Sequence, residues 1–388
     1  MNTRLNIVAD DNIPLARELF EPLGNLALYP GRTITREHLK QADCLVIRSI
    51  TKVNAALLEG TPVKFVGTAT AGSDHFDTAW LKTQGIAFTS SPGCNSRAVA
   101  EYFATALVTM AARRGISLKG KTCGVIGVGH VGSKVVKMAR ALGMNVVKND
   151  PPLEEAMADP SYRPIAEAVA CDVVTLHVPL TRGGPWPTWR MADRSFFNAM
   201  KPGALFFNAS RGAVLDTPSL IEAVRANNLN GLVLDVFEDE PRVDPELLRI
   251  ADIATPHVAG YSIEGRIRGT QMVYSAACDF FNIPPSPDLD AICAVEGGIP
   301  IECDDDDRPI EELLSVILKK ACPVERDSGT LKQTAELPPD ERARVFDSLR
   351  KNYPERREFG GFALRLRRGR PDLILAAQAL GFNVTTVI

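Results

Sequence analysis

Residues 121–152 read KTCGVIGVGHVGSKVVKMARALGMNVVKNDPP, and this stretch decides the fold. An apolar run at 122–126 leads into a Gly-x-Gly-x-x-Gly sequence at 127–132, which is followed by a helical stretch and by a second apolar run that ends at Asp150. A strand, a glycine loop, a helix and a strand in this order, with an acid about 20 residues beyond the loop, are typical of a dinucleotide-binding βαβ unit.

Each residue of this fingerprint has a physical task. Gly127 allows the tight turn, Gly129 lets the backbone approach a pyrophosphate, and Gly132 lets the helix pack closely on the strand. The free N–H groups at the helix N-terminus attract the phosphates. Asp150 would accept hydrogen bonds from the adenosine ribose and repel a 2′-phosphate, so NAD is favoured over NADP. Its alternative role is that of a turn former before Pro151.

Composition narrows the class of protein. The chain has 388 residues, of which 45% are hydrophobic and 23% charged, with a net charge of -3. This length predicts two or three domains, and the charge gives no reason to expect nucleic acid as the partner. No apolar run approaches the roughly 20 residues of a membrane span, and no secretory signal core is present at the start. We therefore expect a cytoplasmic protein without a membrane partner.

The eight cysteines are scattered without a C-x-x-C pair. That spacing argues against a disulfide framework and against a zinc site, so no metal is predicted. The acidic run at 304–307 precedes an apolar-periodic stretch, which favours Asp307 as a helix N-cap over a metal ligand.

Three residue types suited to acid chemistry follow the ends of predicted strands. They are Arg211 after FFNAS, Glu240 after LVLDVFED and His257 after DIATP. Oxidation of a 2-hydroxy acid needs a base that titrates near neutrality, for which His is the usual choice. A carboxylate orients such an imidazole, and a guanidinium grips a substrate carboxylate with two hydrogen bonds. His75 and His177 are rival bases.

The motifs around these residues resemble those of a known protein family. NASRGAVLD (208–216), LDVFEDEP (234–241) and TPHVAGY (255–261) resemble the D-isomer-specific 2-hydroxyacid dehydrogenase family. The resemblance implies that Arg211 binds the substrate carboxylate, that Glu240 tunes the base and that His257 is the acid/base.

Further motifs narrow the resemblance to one group of proteins within this family. IRSITKVNAALL (47–58), FVGTATAGSDHFD (65–77) and SPGCNSRAVAEY (91–102) resemble those members of the family that oxidise 4-phospho-D-erythronate to its 2-oxo acid in vitamin B6 biosynthesis. The resemblance implies that Ser49, Thr70 and Tyr261 contact the substrate. It also implies that the cofactor is lined by His130, Val131, Asp150, Val178, Asp235 and Gly260. A hydroxyl residue often stands at the position of Val178 in the family, so only a backbone contact is expected there.

A phosphate grip is expected from the residues themselves. Arg48 and Ser49 end the predicted strand DCLVIRS, and a guanidinium, a hydroxyl and loop N–H groups all favour a dianion. The alternative is an arginine packed at a domain edge.

The expected fold class is α/β. A Rossmann-type doubly wound parallel sheet (98–258) is inserted in a flavodoxin-like substrate domain (1–97 and 259–285), and a C-terminal α+β domain (286–388) follows. The resemblance implies that this last domain forms a homodimer. GFALRLRRGR alternates apolar and basic residues as a half-buried strand would, and a further hypothesis is that Arg365 or Arg367 reaches the substrate phosphate of the partner.

Two other functions stay open. One is another D-2-hydroxyacid dehydrogenase, of the phosphoglycerate or glycerate type. The other is an NAD-sensing corepressor on the same fold, which could keep all three catalytic residue types.

Overall fold

The structure, a computed structural model, describes residues 4–286 and 288–386. The chain forms two compact units. The first comprises Met1–Asn95 and Ser262–Glu296, and the second comprises Ser96–Tyr261 and Gly297–Ile388.

The first unit is built on five parallel strands in the order β2-β1-β3-β4-β5. The strands are β1 (Leu5–Asp10), β2 (Gly24–Tyr29), β3 (Cys44–Ile47), β4 (Phe65–Thr68) and β5 (Ala87–Thr89). Its helices are Ala16–Phe20, Ala55–Leu58, Thr78–Thr83, Ile263–Phe281 and Leu289–Ile292, with short 3₁₀ turns at Glu21–Leu23, Gly31–Thr33 and Arg36–Leu39. The strand order 2-1-3-4-5 is that of flavodoxin-like folds, as predicted.

The sheet of the second unit has six parallel strands in the order β11-β10-β9-β8-β6-β7. The strands are β6 (Thr122–Ile126), β7 (Asn145–Asn149), β8 (Val173–Leu176), β9 (Ala204–Asn208), β10 (Leu229–Leu234) and β11 (Ile253–Ala254). The strand order reverses at β6, which pairs with both β7 and β8. Ligands of open parallel sheets bind beyond the carboxyl ends of the strands at such a reversal, so the glycine loop after β6 occupies the expected place.

Helices cover both faces of this sheet, because parallel strands that are buried throughout need apolar layers on each side. They are Ser96–Arg114, Gly132–Ala141, Pro151–Met157, Ile165–Val169, Arg194–Ala199, Thr217–Arg225 and Pro245–Ile250, with a 3₁₀ turn at Gly212–Val214. The first of these helices, Ser96–Arg114, is buried over most of its length. Every residue from Ser96 to Ala111 except Arg97 is buried, because the helix joins one apolar cluster with the sheet and with the C-terminal helix Ile310–Ala321.

The C-terminal extension adds a small parallel sheet in the order β12-β13-β14. Its strands are β12 (Ile299–Cys303), β13 (Phe362–Leu366) and β14 (Asn383–Thr386), and its helices are Ile310–Ala321, Val324–Lys332, Pro339–Lys351 and Pro371–Leu380, with 3₁₀ turns at Gln333–Glu336 and Phe359–Gly361. Burial alternates along β13, which confirms the half-buried strand predicted from its basic and apolar residues. Arg365 and Arg367 are both exposed.

The predicted N-cap at Asp307 is wrong. The helix Ile310–Ala321 begins after Pro309, without a side-chain cap. The carboxylate of Asp305 is the one that is used: it is 2% exposed and accepts hydrogen bonds from the backbone N–H groups of Arg368 (2.6 Å) and Arg370 (2.7 Å). The turn that follows β13 thus binds a carboxylate of the acidic run, but it is that of Asp305, two residues before the predicted Asp307.

Among the described residues, no helix is long and apolar enough to cross a membrane. The same residues contain no group of three or more potential metal ligands.

Candidate active site

The glycine loop has the geometry that its sequence predicts. Gly127 has a φ of 83°, and a Cβ there would lie 2.7 Å from the carbonyl carbon of His177. A Cβ at Gly132 would lie 1.9 Å from the carbonyl oxygen of Gly127, so helix and loop pack with no room for a side chain. A Cβ at Gly129 would meet no protein atom within 4 Å. The backbone is therefore bare where a pyrophosphate would approach the helix N-terminus.

Asp150 holds this loop from the end of β7. Its Oδ2 accepts a hydrogen bond from the N–H of Val128 at 2.7 Å, and its Oδ1 accepts one from the N–H of Leu153 at 3.2 Å. The carboxylate thus caps the helix that begins at Pro151 and also fixes the glycine loop, in line with the turn-forming alternative, and its contact with a ribose stays a prediction. A carboxylate has about four acceptor sites, which leaves capacity for the hydroxyls of a ribose.

The other candidate cofactor residues surround this loop or the end of a neighbouring strand. His130 is exposed, and Val131 is the N-cap of the helix Gly132–Ala141. Val178 and Gly260 are half-buried, the first just after β8. These positions fit residues that line a dinucleotide, and their contacts with the cofactor stay predictions.

His257 and Glu240 form a hydrogen-bonded pair. The Nδ1 of His257 lies 2.7 Å from the Oε2 of Glu240, and the other carboxylate oxygen accepts a hydrogen bond from the N–H of Phe237 at 2.8 Å. Burial opposes ionisation of Glu240, but the charge and hydrogen bond of His257, the Phe237 N–H and the charge of Arg350 outweigh it and hold the pKa of Glu240 below its ordinary value. An ionised carboxylate only accepts hydrogen bonds, so Nδ1 carries the proton and Nε2 is left to accept one.

The backbone at His257 is strained. Its φ is 56°, in the left-handed region that a residue with a Cβ rarely adopts. Asp235 holds the segment in that shape: its buried carboxylate accepts hydrogen bonds from the Thr255 hydroxyl (2.6 Å) and from the N–H groups of Val258 and Ala259 (both 2.9 Å). Burial raises the pKa of Asp235 to about 6. Asp235 is thus first of all a support for residues 255–261, hereafter the acid/base segment, and its contact with a cofactor stays a prediction.

The loop that carries Arg211 packs on the loop that carries Glu240. Asn208, the last residue of β9, donates from its amide to the carbonyl of Arg211 at 3.0 Å. A Cβ at Gly212 would lie 1.9 Å from the carbonyl group of Phe237, so the two loops touch through their backbones. Because β9, β10 and β11 are neighbours, the structure brings the three predicted catalytic residues to adjacent strand ends of one sheet.

The rival histidines are poorly suited to act as bases. Burial lowers the pKa of His177 to about 3, and its Nε2 is paired with the hydroxyl of Thr175 at 2.8 Å. Burial also lowers the pKa of His75 to about 4, only partly opposed by the charge of Asp74. With pKa values this low, both imidazoles are weak bases that accept a proton poorly near neutrality.

The predicted substrate residues of the first unit also gather at strand ends. Arg48 is half-buried and Ser49 exposed just after β3. Thr70 lies just after β4, and its hydroxyl is 2.8 Å from that of Thr68. Since β3 and β4 are neighbours, these groups share one edge of the sheet. Tyr261 belongs to the second unit, where its ring contacts that of Tyr353.

Three residues near the acid/base segment were missed by sequence reasoning. They are Arg350, Tyr353 and Arg356, which follow one another at the end of the helix Pro339–Lys351 and in the loop after it. No motif marks them, because the stretch RKNYPERR has the composition of an ordinary charged surface. Only the docking of the C-terminal extension places them beside residues 255–261.

Comparison with known proteins identifies the family of this chain. Residues 96–259 match the model of the D-isomer specific 2-hydroxyacid dehydrogenase NAD binding domain. Proteins named erythronate-4-phosphate dehydrogenase from Marinobacter nauticus and Proteus mirabilis are each 41% identical to this chain, over 97% and 98% of it and over 99% and 100% of their own lengths.

Solved structures of similar proteins support the same family. D-lactate dehydrogenase from Aquifex aeolicus, complexed with NAD and lactic acid, is 27% identical with a TM-score of 0.61 over 71% of this chain and 96% of its own. NAD⁺-bound 3-phosphoglycerate dehydrogenase from Entamoeba histolytica is 25% identical with a TM-score of 0.62 over 72% of this chain and 96% of its own. The chain therefore belongs to the D-isomer specific 2-hydroxyacid dehydrogenase family, whose members are NAD-dependent oxidoreductases that act on a CH–OH group.

Proposed function

We propose that the protein oxidises 4-phospho-D-erythronate to 2-oxo-3-hydroxy-4-phosphobutanoate with NAD, a reaction of pyridoxal phosphate (vitamin B6) biosynthesis. The observation that carries the proposal is the full-length identity of 41% to proteins named for this substrate, together with the paired Glu240 and His257 at the strand ends.

The proton of the reaction goes to His257. Its Nδ1 donates to Glu240, so Nε2 takes the proton of the substrate's 2-hydroxyl as the C2–H bond breaks. The nearby carboxylate of Glu240 stabilises the imidazolium that forms. In the reverse direction the same imidazolium returns the proton to the carbonyl oxygen.

Arg211 orients the substrate. Its guanidinium forms two parallel hydrogen bonds with the substrate carboxylate and polarises the neighbouring oxygen. Arg48, Ser49 and Thr70 supply a guanidinium and two hydroxyls for the phosphate and hydroxyl end of the substrate, with Tyr261 as a further contact. These groups suit a phosphorylated acid better than a short unphosphorylated one.

NAD would be held by the glycine loop and by Asp150, and when bound it takes the hydride from C2 of the substrate. The bare backbone at Gly129 and the tight packing at Gly132 fit a pyrophosphate at the helix N-terminus. His130, Val131, Val178, Asp235 and Gly260 complete the proposed cofactor-binding set.

The test is a steady-state assay of NADH formation with the purified full-length protein. The panel consists of 4-phospho-D-erythronate, 3-phospho-D-glycerate, D-glycerate and D-lactate, with the His257→Asn variant as the control for background reduction. We expect the highest kcat/KM with 4-phospho-D-erythronate. A higher kcat/KM with 3-phosphoglycerate or glycerate would overturn the assignment, and NAD binding without turnover of any acid would favour an NAD-sensing corepressor.

We further propose that the protein is a cytoplasmic homodimer formed through the C-terminal extension. The extension exposes large apolar side chains: Leu375 is 68% exposed, Ile299 41% and Val316 37%. Exposed apolar side chains mark a protein interface when they form a contiguous patch, and a charge placed at Leu375 tests whether these do. Light scattering should give twice the chain mass for the wild type and the single mass for Leu375→Glu, and a monomeric wild type would refute the dimer.

A further inference from the structure

The C-terminal extension contacts the acid/base segment through the stretch of chain that follows the helix Pro339–Lys351. Two side chains of this stretch make the contact: Arg356 binds the backbone of Ala259, and Tyr353 packs on the ring of Tyr261. The family model that covers the NAD-binding domain ends at residue 259 and includes neither Arg356 nor Tyr353. The mechanism described above does not use them.

The guanidinium of Arg356 joins three parts of the chain. Its Nη2 donates to the carbonyl oxygens of Ala259 (2.6 Å) and Ala98 (3.1 Å), and its Nη1 donates to the Sγ of Cys322 (3.3 Å). Ala98 belongs to a helix that covers the six-stranded sheet, and Cys322 follows the helix Ile310–Ala321 of the extension. The carbonyl of Ala259 is therefore fixed relative to two long helices.

The burial of Arg356 is not explained by an ion pair. The residue is only 5% exposed, and its hydrogen-bond partners among the described residues are two carbonyls and a thiol, with no carboxylate. A buried charge is costly, and apolar side chains of similar volume are often neutral or stabilising in its place. The guanidinium is therefore better explained by the geometry that it imposes than by the stability that it adds.

Ala259 is held on both sides of its backbone. Its N–H donates to the carboxylate of Asp235 at 2.9 Å, and its carbonyl accepts the hydrogen bond from Arg356. Ala259 comes two residues after His257, whose φ of 56° persists only when the surrounding structure fixes it. Without Arg356 the peptide is free to turn about the contact that remains, and the imidazole moves with it.

Tyr353 restrains the other end of the acid/base segment. Its ring packs edge-on against Tyr261, with 5.7 Å between centroids and 85° between planes, and its hydroxyl donates to Asp327 at 2.7 Å. An edge-to-face aromatic pair contributes to both packing and orientation. A change at Arg356 therefore acts on the residues between His257 and this second contact.

We propose that Arg356 is a positioning residue of the dehydrogenase reaction. Through the carbonyl of Ala259 it holds the acid/base segment in the shape that directs the Nε2 of His257 at the substrate hydroxyl. A displacement of about 1 Å at a reacting group can lower a rate about 100-fold. The C-terminal extension then has a second task besides the proposed assembly. The inference rests on the proposed role of His257 as the acid/base and not on the identity of the 2-hydroxy acid.

The test compares two variants of Arg356 with a matched control. Arg356→Met keeps an unbranched apolar side chain without a donor, and Arg356→Lys keeps the charge and a donor. The control is Arg370→Met, because Arg370 is an arginine of the same extension that also donates to two carbonyls, those of Asp306 (3.0 Å) and Arg308 (2.6 Å), away from the acid/base segment. Rates are expressed per NAD-binding site, measured by titration, so that unfolded molecules do not count.

The kinetic result distinguishes positioning from substrate contact. We expect Arg356→Met to lower kcat about tenfold or more with KM values within about threefold, since a positioning group acts on the chemical step. Arg356→Lys should recover part of kcat, and Arg370→Met should stay within twofold of the wild type. A wild-type kcat in Arg356→Met, an equal loss in Arg370→Met, or a raised substrate KM at unchanged kcat would each overturn the proposal.

A readout without turnover distinguishes positioning from a loss of stability. With ¹⁵N-histidine labelling, the Nδ1–H signal of His257 is identified by its disappearance in His257→Asn. We expect this signal to be kept in Arg370→Met and to shift or broaden in Arg356→Met, at a temperature where circular dichroism shows both to be folded. A wild-type signal in Arg356→Met would refute the proposal.

The same signal keeps the inference separate from the proposed function. If Arg356→Met does not fold, Arg356→Lys takes its place, since an ammonium cannot reproduce the planar fork of a guanidinium; a wild-type signal there would count against the role of Arg356. If the wild type oxidises none of the acids tested, the proposed function fails, while the signal of His257 still shows whether Arg356 holds the segment.

Discussion

Replacement of Glu240 by Gln tests how much the reaction depends on the charge beside the imidazole. Gln keeps the size of the side chain and an acceptor for the Phe237 N–H, but it removes the counter-charge that His257 meets at 2.7 Å when it is protonated. Two unit charges about 4 Å apart interact by about 4 kcal/mol at an effective dielectric constant of about 20. The His257 and Glu240 side chains are 33% and 18% exposed, so solvent reduces this to about 2–4 kcal/mol.

That range corresponds to a kcat lower by about 30- to 1000-fold. Steady-state kinetics of Glu240→Gln should show the loss in kcat, with the dissociation constant for NAD unchanged. Glu238→Gln is the matched control, because Glu238 lies in the same loop but pairs with Arg190 and not with His257. A Glu240→Gln enzyme within threefold of the wild-type kcat would refute the assigned role of the pair.

Three further outcomes follow from the structure. Asp150→Ser should shift the ratio of kcat/KM for NAD and NADP toward NADP by about tenfold or more, because the carboxylate that repels a 2′-phosphate is gone; an unchanged ratio would contradict this. Arg211→Lys should raise the substrate KM about tenfold, since one ammonium cannot replace a bidentate guanidinium, and equal KM values would show that Arg211 does not bind the carboxylate. Burial and the neighbouring Glu358 raise the pKa of Glu101 to about 8, so the folded state binds the extra proton and stability should fall as pH rises from about 4.5 to about 8. Thermal melts should show this slope in the wild type and a flatter one in Glu101→Gln, and equal slopes would contradict it.

The sequence predicts those parts of the site that depend on local chain geometry. The glycine loop and Asp150 lie within one βαβ unit, so spacing alone places them. The residues Arg211, Glu240 and His257 follow strand ends, and parallel strands bring their carboxyl ends to one edge. Their convergence thus follows from topology, although the 2.7 Å hydrogen bond between His257 and Glu240 does not.

Interactions that depend on docking could not be predicted. The burial of the helix Ser96–Arg114 depends on an apolar contact with Ile310–Ala321, some 200 residues further along the chain. Arg356 lies in a charged stretch, and its burial follows only from the two carbonyls that it meets. Asp307 does not cap the helix for a related reason. The turn at 368–370, which is distant in the sequence, donates its N–H groups to Asp305 in the same acidic run.

The strained histidine explains why charged groups from distant parts of the chain meet at residues 255–261. A non-glycine residue in a left-handed conformation costs on the order of 1–3 kcal/mol and persists only when its surroundings fix it. Asp235 accepts the N–H groups of Val258 and Ala259, and Arg356 donates to the carbonyl of Ala259. A carboxylate thus satisfies the N–H groups of the segment while a guanidinium satisfies a carbonyl. Loss of either leaves buried polar groups unpaired at about 1–3 kcal/mol each, which is comparable to the strain. The acid/base segment therefore keeps the shape that aims His257 only while both the nucleotide-binding fold and the C-terminal extension hold it.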